Sequence, residues 1–197
     1  MSTFVCGLDL GQAQDYTALI VTEKHTPEGE KRPRFDVRHI VRFPLGTSYP
    51  TIVDEVAGLL ARPPLGTDAR LIIDGTGVGR APVDMLRVRL GGRALPVTIT
   101  SGDVVSVGDD GYHRVPKRDL VGVVQVLLQS KRLRFAEGLQ LVSVLTGELT
   151  SFQVKINTTT AHDSYGAWRE GQHDDLVLAL ALAVWYGETR ISQGAYI

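Results

Sequence analysis

One cysteine, Cys6, in 197 residues excludes an intramolecular disulfide and any cysteine-rich zinc site, and it fits an intracellular, reducing compartment. The longest apolar stretch, Leu176 to Trp185, is too short to cross a bilayer, and no basic, apolar, small-residue pattern opens the chain. A soluble protein without membrane partners is expected. The phosphate-loop pattern G-x-x-x-x-G-K-[ST] is missing, which removes a P-loop ATPase. Gly75-Thr76-Gly77-Val78-Gly79 is G-x-G-x-G headed by Asp74, not G-x-G-x-x-G, so the dinucleotide fingerprint fails as well. Neither sign of charge dominates: 21 basic against 22 acidic residues leave a net charge of -1, so any polyanionic partner must be met by local charge. There is no internal repeat or low-complexity segment. With 43% hydrophobic residues, the whole chain, 1–197, can form a single domain around a full core.

What is present begins with Phe4 to Gly11, a short apolar run rich in strand formers, followed by Asp15 to Val21 with the same character; the pair reads as a hairpin. Arg34 to Phe43 alternates through Phe35, Val37, His39, Val41 and Phe43 as a third strand, with His39 a partly buried member of that face. Thr51 to Leu60 has helical spacing, with Ser48 or Thr51 as cap and Pro63-Pro64 beyond its end. Leu71-Ile72-Ile73 is a strand covered on both faces. It runs into Asp74 and a glycine-rich loop, then a helix with Pro82 in its first turn. Leu95 to Ile99 is a strand, Ser101 to His113 a mobile loop or hairpin, and Pro116 to Ser130 a helix that starts with Lys117-Arg118. A second amphipathic helix is expected from Glu137 to Leu149, a strand over Phe152 to Ile156, and a polar, glycine-bearing segment from Asn157 to Gln172. The last helix, from His173 to Trp185, is apolar all round after its first turn and must be buried. Hairpins followed by alternating helices and strands give an α/β fold, a mixed sheet flanked by helices.

Three acidic stations stand out: Asp9 inside the first strand, Asp74 at the end of a buried strand, and Asp174-Asp175 at the entrance to a buried helix. A buried carboxylate without compensation is costly. If these elements meet, mutual repulsion calls for cations, and Mg2+ or Mn2+ is the answer for hard oxygen donors. Two such ions are the arrangement that supports in-line phosphodiester hydrolysis by water.

Gly7-Leu8-Asp9-Leu10-Gly11 with Asp15-Tyr16-Thr17-Ala18, then Ile73-Asp74-Gly75-Thr76-Gly77-Val78-Gly79, then His173-Asp174-Asp175-Leu176 resemble, in order, the three motif blocks of the ribonuclease H-like nuclease domain of phage large terminase subunits. Pro116 to Leu120 and the stretch from Glu148-Leu149 to Phe152 are similar to its intervening segments. The resemblance implies a ribonuclease H-like (resolvase/integrase-type) sheet and a metal-dependent endonuclease that cuts concatemeric viral DNA during packaging in the cytoplasm of the infected host cell. Double-stranded DNA, the packaging ATPase (absent from this chain), the small terminase subunit and the portal would be its partners. Carried over residue by residue, Asp9 becomes the bridging metal ligand and Asp74 the second; the third is Asp175 or Asp174, with both left open. Leu178 stands where family members often have a further acid, which puts a fourth ligand in doubt. His173 is an accessory candidate near the scissile phosphate, or a helix cap, and Asp15 an outer-shell group or turn former.

For DNA contact the candidates are Lys117, Arg118 and Arg80, with Lys131, Arg132 and Arg134 also able to track a backbone without sequence preference. Charged residues at helix ends are often only solvated. The Gly102 to His113 loop is placed over the groove. A Holliday-junction-resolvase-like nuclease shares metals and chemistry and competes on substrate alone. An actin-like or sugar-kinase-like nucleotide-binding domain shares the Asp9-Leu10-Gly11 and Asp74 to Gly77 patterns, but such proteins need two domains around the nucleotide. A DNA-binding or assembly domain without activity is the non-enzymatic alternative, and the three acidic stations speak against it.

Overall fold

The computed structural model describes residues 2–12, 15–66, 68–151 and 174–194. The expected strand over 152–156, the polar segment after it and His173 lie outside these residues. Strands β1 (Thr3–Asp9), β2 (Thr17–His25) and β3 (Arg34–Phe43) form an antiparallel meander. Helix α1 (Tyr49–Leu60) leads to β4 (Arg70–Asp74), α2 (Ala81–Leu90) and β5 (Ala94–Thr100). A short hairpin, β6 (Ser106–Val107) and β7 (His113–Pro116), precedes α3 (Lys117–Gln129), β8 (Leu133–Phe135), α4 (Val142–Ser151) and α5 (Asp175–Gly194). The eight strands make one sheet in the order β6-β7-β5-β4-β1-β2-β3-β8. β1, β4, β5 and β7 run parallel, so Asp9 and Asp74 end neighbouring strands at one edge.

Two cores fill the two faces of the sheet. On one, Cys6, Leu8, Leu19, Leu71 and Ile73 pack against α1 and α2 through Ile52, Val56, Val83 and Leu86. On the other, Val5, Ala18, Ile20, Phe35, Val37 and Ile72 pack against α3, α4 and α5. α1 begins as expected: Ser48 caps it by accepting from the Thr51 N–H at 3.3 Å, and Pro50 lies in the first turn. Burial pushes the Cys6 thiol up to about 12, against a smaller opposing effect of Arg93, so it packs as a hydrophobe and is no nucleophile.

α5 is buried at every position from Asp175 to Trp185, as its uninterrupted apolarity demands, because the sheet lies beneath it and α3 and α4 beside it. Its closeness to the sheet has a local cause. Residues 179, 183 and 187 follow Asp175 at four-residue intervals, on one stripe, and all are Ala or Gly. A Cβ on Gly7 would lie 1.9 Å from the Ala179 carbonyl oxygen, and one on Gly187 2.3 Å from the Phe35 ring. Helix backbone therefore rests directly on strand β1.

Two expectations are corrected here. The helix placed over 137–149 starts only at Val142; Gly138 (φ 73°) and Leu141 (φ 63°) adopt left-handed conformations that no α-helix accommodates, and the helix continues to Ser151. His39 is exposed, not partly buried. The β2–β3 register slips between Val21 and Thr22, pairing Val21 with His39 but Thr22 with Val37, so Arg38 is an extra residue. Such a bulge reverses the alternation beyond it. Phe35, Val37 and Ile40 consequently share the α5 side, while Val41 and Phe43 turn to the α1 side. The Ser101–His113 segment does contain a hairpin, β6 with β7, at the sheet edge.

Gly7→Ala is expected to lower stability by about 3 kcal/mol or more, at the upper end of overpacking costs because backbone, not a side chain, must yield. Gly58→Ala in α1, where a Cβ meets nothing within 4 Å, should instead stabilise by up to about 1 kcal/mol. Urea denaturation of the two variants measures both.

Candidate functional site: a carboxylate edge held by two cations

Asp9 and Asp74 are direct partners in the β1–β4 register, so their side chains leave the sheet on the same face, the one that α5 covers. Across β1, Asp9 is paired with Ala18, and Ala18 with Arg42 of β3. One cross-strand row thus reads Asp74, Asp9, Ala18, Arg42. The small Ala18 leaves space over the row, and Gly7, two residues before Asp9 on the same face, lets α5 descend there. Asp175 lies one helical turn before Ala179, the residue that meets Gly7, and this brings the α5 N-terminus over the row. Asp9, Asp174 and Asp175 line one open cleft together with Gln12, Asp15, Tyr16, Thr76, Val78 and Leu178.

Asp74, only 2% exposed, sits beneath the loop that follows β4. Its Oδ1 accepts from the Thr76 N–H at 2.8 Å, and the Thr76 hydroxyl accepts from the Ile99 N–H at 2.8 Å. Gly77 and Gly79, at φ 81° and 76°, carry the chain out of this turn toward α2. On the other side, Gly11 closes the β1–β2 turn by donating its N–H to the Thr17 hydroxyl at 3.0 Å, with Tyr49 donating to the Gly11 carbonyl at 3.1 Å. A side chain at Gly11 would run into the Asp15 and Tyr16 carbonyls, at 2.3 and 2.4 Å. Gln12 reaches across to the Gly77 carbonyl and ties the two loops together.

The carboxylates at the α5 end meet cations. Asp175, 5% exposed, accepts from Arg42 Nε at 2.7 Å, and the same guanidinium donates through Nη2 to Glu148 of α4. The guanidinium carbon lies 4.9 Å from the centre of the Tyr16 ring. Glu148 also accepts from the N–H groups of Leu176 and Val177, at 3.1 and 3.3 Å, and so caps a helix to which it does not belong. Asp174 precedes that helix, accepts from the Leu178 N–H through its carbonyl, and pairs through its carboxylate with Lys117 at 3.8 Å. Burial, and then the negative charge of Asp175, push the Glu148 carboxyl up to about 7, more than the opposing pull of Arg42 lowers it.

Four of the candidate acids, Asp9, Asp74, Asp174 and Asp175, are therefore gathered at one edge, with Asp74 beside the cleft and not in its lining. Among the described residues, no three His, Cys, Asp or Glu side chains converge on a single point as a finished ligand set. The donors present are nonetheless all carboxylate oxygens, the chemistry a hard divalent cation takes. Asp15 lines the same cleft. Of the basic candidates, Lys117 is mostly buried against Asp174. Arg118 is half-exposed and bridges to Asp103 at 2.5 Å, and Arg80 is exposed, 3.0 Å from Asp110 and above the Tyr112 ring. Asp110 is held below the ordinary carboxylate range, first by the Tyr112 N–H. The buried Arg132 instead bonds the Pro33 carbonyl and Glu188, a structural tie between β3 and the far end of α5.

The sequence singled out no role for Arg42, and it marked Glu148 only as part of a stretch similar to the family's intervening segments. Simple alternation along β3 puts Arg42 with the residues that face away from Val37, and only the bulge at Arg38 turns it toward α5. Glu148 lies 28 and 29 positions from the two N–H groups it caps, and no local pattern announces that contact.

No protein-family model and no curated protein matches the sequence. Solved structures do. The large terminase nuclease from thermophilic phage G20c is 19% identical at a TM-score of 0.59, over 92% of this chain and 81% of that one. The human cytomegalovirus terminase nuclease domain, Mn soaked and inhibitor bound, is 14% identical at 0.54, over 93% and 82%. The nuclease domain of the g2p large terminase from bacteriophage SPP1, with bound Mn, is 14% identical at 0.53, over 92% and 84%.

In the unfolded chain Glu148 titrates near its ordinary 4.5, so between that value and about 7 the folded protein holds the extra proton. The stability this proton adds is complete below the ordinary value and is lost as pH rises to the folded one. Melting temperatures in chelator should therefore shift in favour of Glu148→Gln over the wild type between pH about 5 and about 7, and level off above. A pH-independent difference would contradict the burial assigned to Glu148. Eight strands in this order, the covering helices and the structural likeness together give the chain the ribonuclease H-like α/β fold of the large terminase nuclease domains.

Proposed function

We propose that this chain is a metal-dependent DNA endonuclease, with Asp9, Asp74 and the Asp174-Asp175 pair as its active-site carboxylates. The observation that carries the proposal is the register match of Asp9 with Asp74 at the ends of parallel β1 and β4, directly beneath the entrance of α5. Two adjacent carboxylates projecting from one face, with Asp174 and Asp175 at the entrance of the helix above, make an anionic edge that by itself repels a phosphodiester. A cation is needed before DNA can approach. Asp9 and Asp74 would hold Mg2+ or Mn2+, with Asp174 or Asp175 completing a site for two ions. The bound ions would supply Lewis acidity toward the phosphate and a water acidified toward hydroxide. The solved terminase nucleases include one Mn-soaked and one Mn-bound structure, in line with such use of metal.

The chain's own residues set the rest. Asp74 is anchored by the Thr76 N–H, so its carboxylate is fixed before any ligand arrives. The loop ties between Gln12 and Gly77 and between Tyr49 and Gly11 hold the floor of the cleft rigid. Lys117 beside Asp174, and Arg118 and Arg80 farther out, are our candidates for contacts to the DNA backbone. His173 remains an accessory candidate. No base-reading helix is evident among the described residues, so cleavage with little sequence preference is proposed. Cutting of concatemeric viral DNA, with a packaging ATPase, a small terminase subunit and a portal as partners in the host cytoplasm, is the biological setting that the fold and the motif order favour.

The purified chain should nick and linearise supercoiled plasmid with Mn2+ or Mg2+ and leave it intact in chelator. Asp9→Asn and Asp74→Asn should each reduce cleavage to background while keeping the circular-dichroism spectrum. Persistent inactivity of folded protein toward linear, supercoiled and branched DNA with either metal would overturn the proposal.

A further inference from the structure

Arg42 joins two carboxylates and an aromatic ring at once. It contacts Asp175 through Nε at 2.7 Å, Glu148 through Nη2 and the Tyr16 ring through its flat face, with only 15% of its side chain exposed. A guanidinium is always charged and binds carboxylates in a fixed, planar fork. Asp175 is also one of the four acids of the proposed metal site. The same carboxylate is therefore claimed by a resident cation and, on the metal-dependent nuclease reading, by an incoming one. Resting on that reading, we propose that Arg42 is the positioning residue of the site: it holds Asp175 while no metal is bound and remains with Glu148 when a divalent cation takes that carboxylate.

Glu148 is what makes the exchange feasible. A buried arginine that lost its only carboxylate would be left as an unpaired charge, a cost large enough to block the transfer. Here the second carboxylate is already in contact. Glu148 is itself fixed by the Leu176 and Val177 N–H groups, so it stays in place when Asp175 moves. Lys117 faces Asp174 from the start of α3, so the two neighbouring acids are held by different cations on different elements. The cation on Asp175 already has a second anionic partner, Glu148, in contact.

Two substitutions move metal affinity in opposite directions, which a merely structural role for the pair would not do. Arg42→Ala frees Asp175 and removes a positive charge beside the metal, so Mn2+ should bind about tenfold tighter or more. Glu148→Gln leaves Arg42 with Asp175 as its one full charge partner, so Mn2+ should bind several-fold more weakly. Arg42→Lys keeps the charge but loses the fork that reaches both carboxylates, so its Mn2+ affinity should fall between those of wild type and Arg42→Ala. Isothermal titration with Mn2+ at mildly alkaline pH measures all three, with Asp9→Asn as control and circular dichroism to verify folding. Unchanged or weaker binding in Arg42→Ala, or binding that moves the same way in Arg42→Ala and Glu148→Gln, overturns the proposal. If Arg42→Ala fails to fold, the Glu148→Gln titration decides alone, and unchanged or tighter binding there overturns it. Binding lost in Asp9→Asn but indifferent to Arg42 and Glu148 removes only the positioning role. No Mn2+ binding in the wild type removes both this role and the metal-dependent reading.

Discussion

The contact that the site depends on is backbone against backbone: strand β1 at Gly7 and helix α5 at Ala179, with no room for even one methyl group between them. A helix normally stands off a sheet by the length of its side chains. Here the stripe of residues 179, 183 and 187 has almost none, and α5 lies low enough for Asp174 and Asp175 to line one cleft with Asp9. The surrounding apolar positions, Leu176 to Trp185, are buried between the sheet and α3 and α4 and hold the helix down through ordinary burial, about 1.5–3 kcal/mol for each large side chain. The close approach sets the geometry, and the large side chains around it supply the stability.

Gathering carboxylates in this way creates an electrostatic problem, and the structure shows local partners for Asp74, Asp174 and Asp175. Asp74 accepts from a backbone N–H in its own turn. Asp174 has Lys117, and Asp175 has Arg42. Glu148 is incompletely satisfied by these arrangements: Arg42 and two helix N–H groups do not compensate fully for its burial and for Asp175 beside it. The edge is thus charged, organised and already partly neutralised by protein cations. No helix among the described residues is long and apolar enough to cross a membrane.

Much of this was legible in the amino-acid sequence, because the signals were local. The β3 limits, Arg34 and Phe43, follow from alternation, α1 from its spacing and cap, α2 from Pro82, and the burial of α5 from its lack of a polar side. The sequence placed Asp9 inside the first strand, Asp74 at a strand end and Asp174-Asp175 at a helix entrance, and left their meeting as a condition on how those elements pack. What was hidden depends on contacts distant in sequence. A single bulge at Arg38 reverses one half of β3, exposes His39 and turns Arg42 toward the acids. The helix start at Val142, not 137, follows from two left-handed residues, Gly138 and Leu141, of which a leucine gives no warning. Glu148 caps another helix, a contact set by tertiary packing alone.

The most direct test of the carboxylate edge as a metal site is the anomalous difference density of crystals of this chain soaked in Mn2+. The account predicts a peak between the Asp9 and Asp74 carboxylates at the ends of β1 and β4, with Asp174 or Asp175 closing over it from α5. A well-ordered edge with no peak there, at Mn2+ concentrations that saturate the protein, or a peak held by other residues, would contradict it.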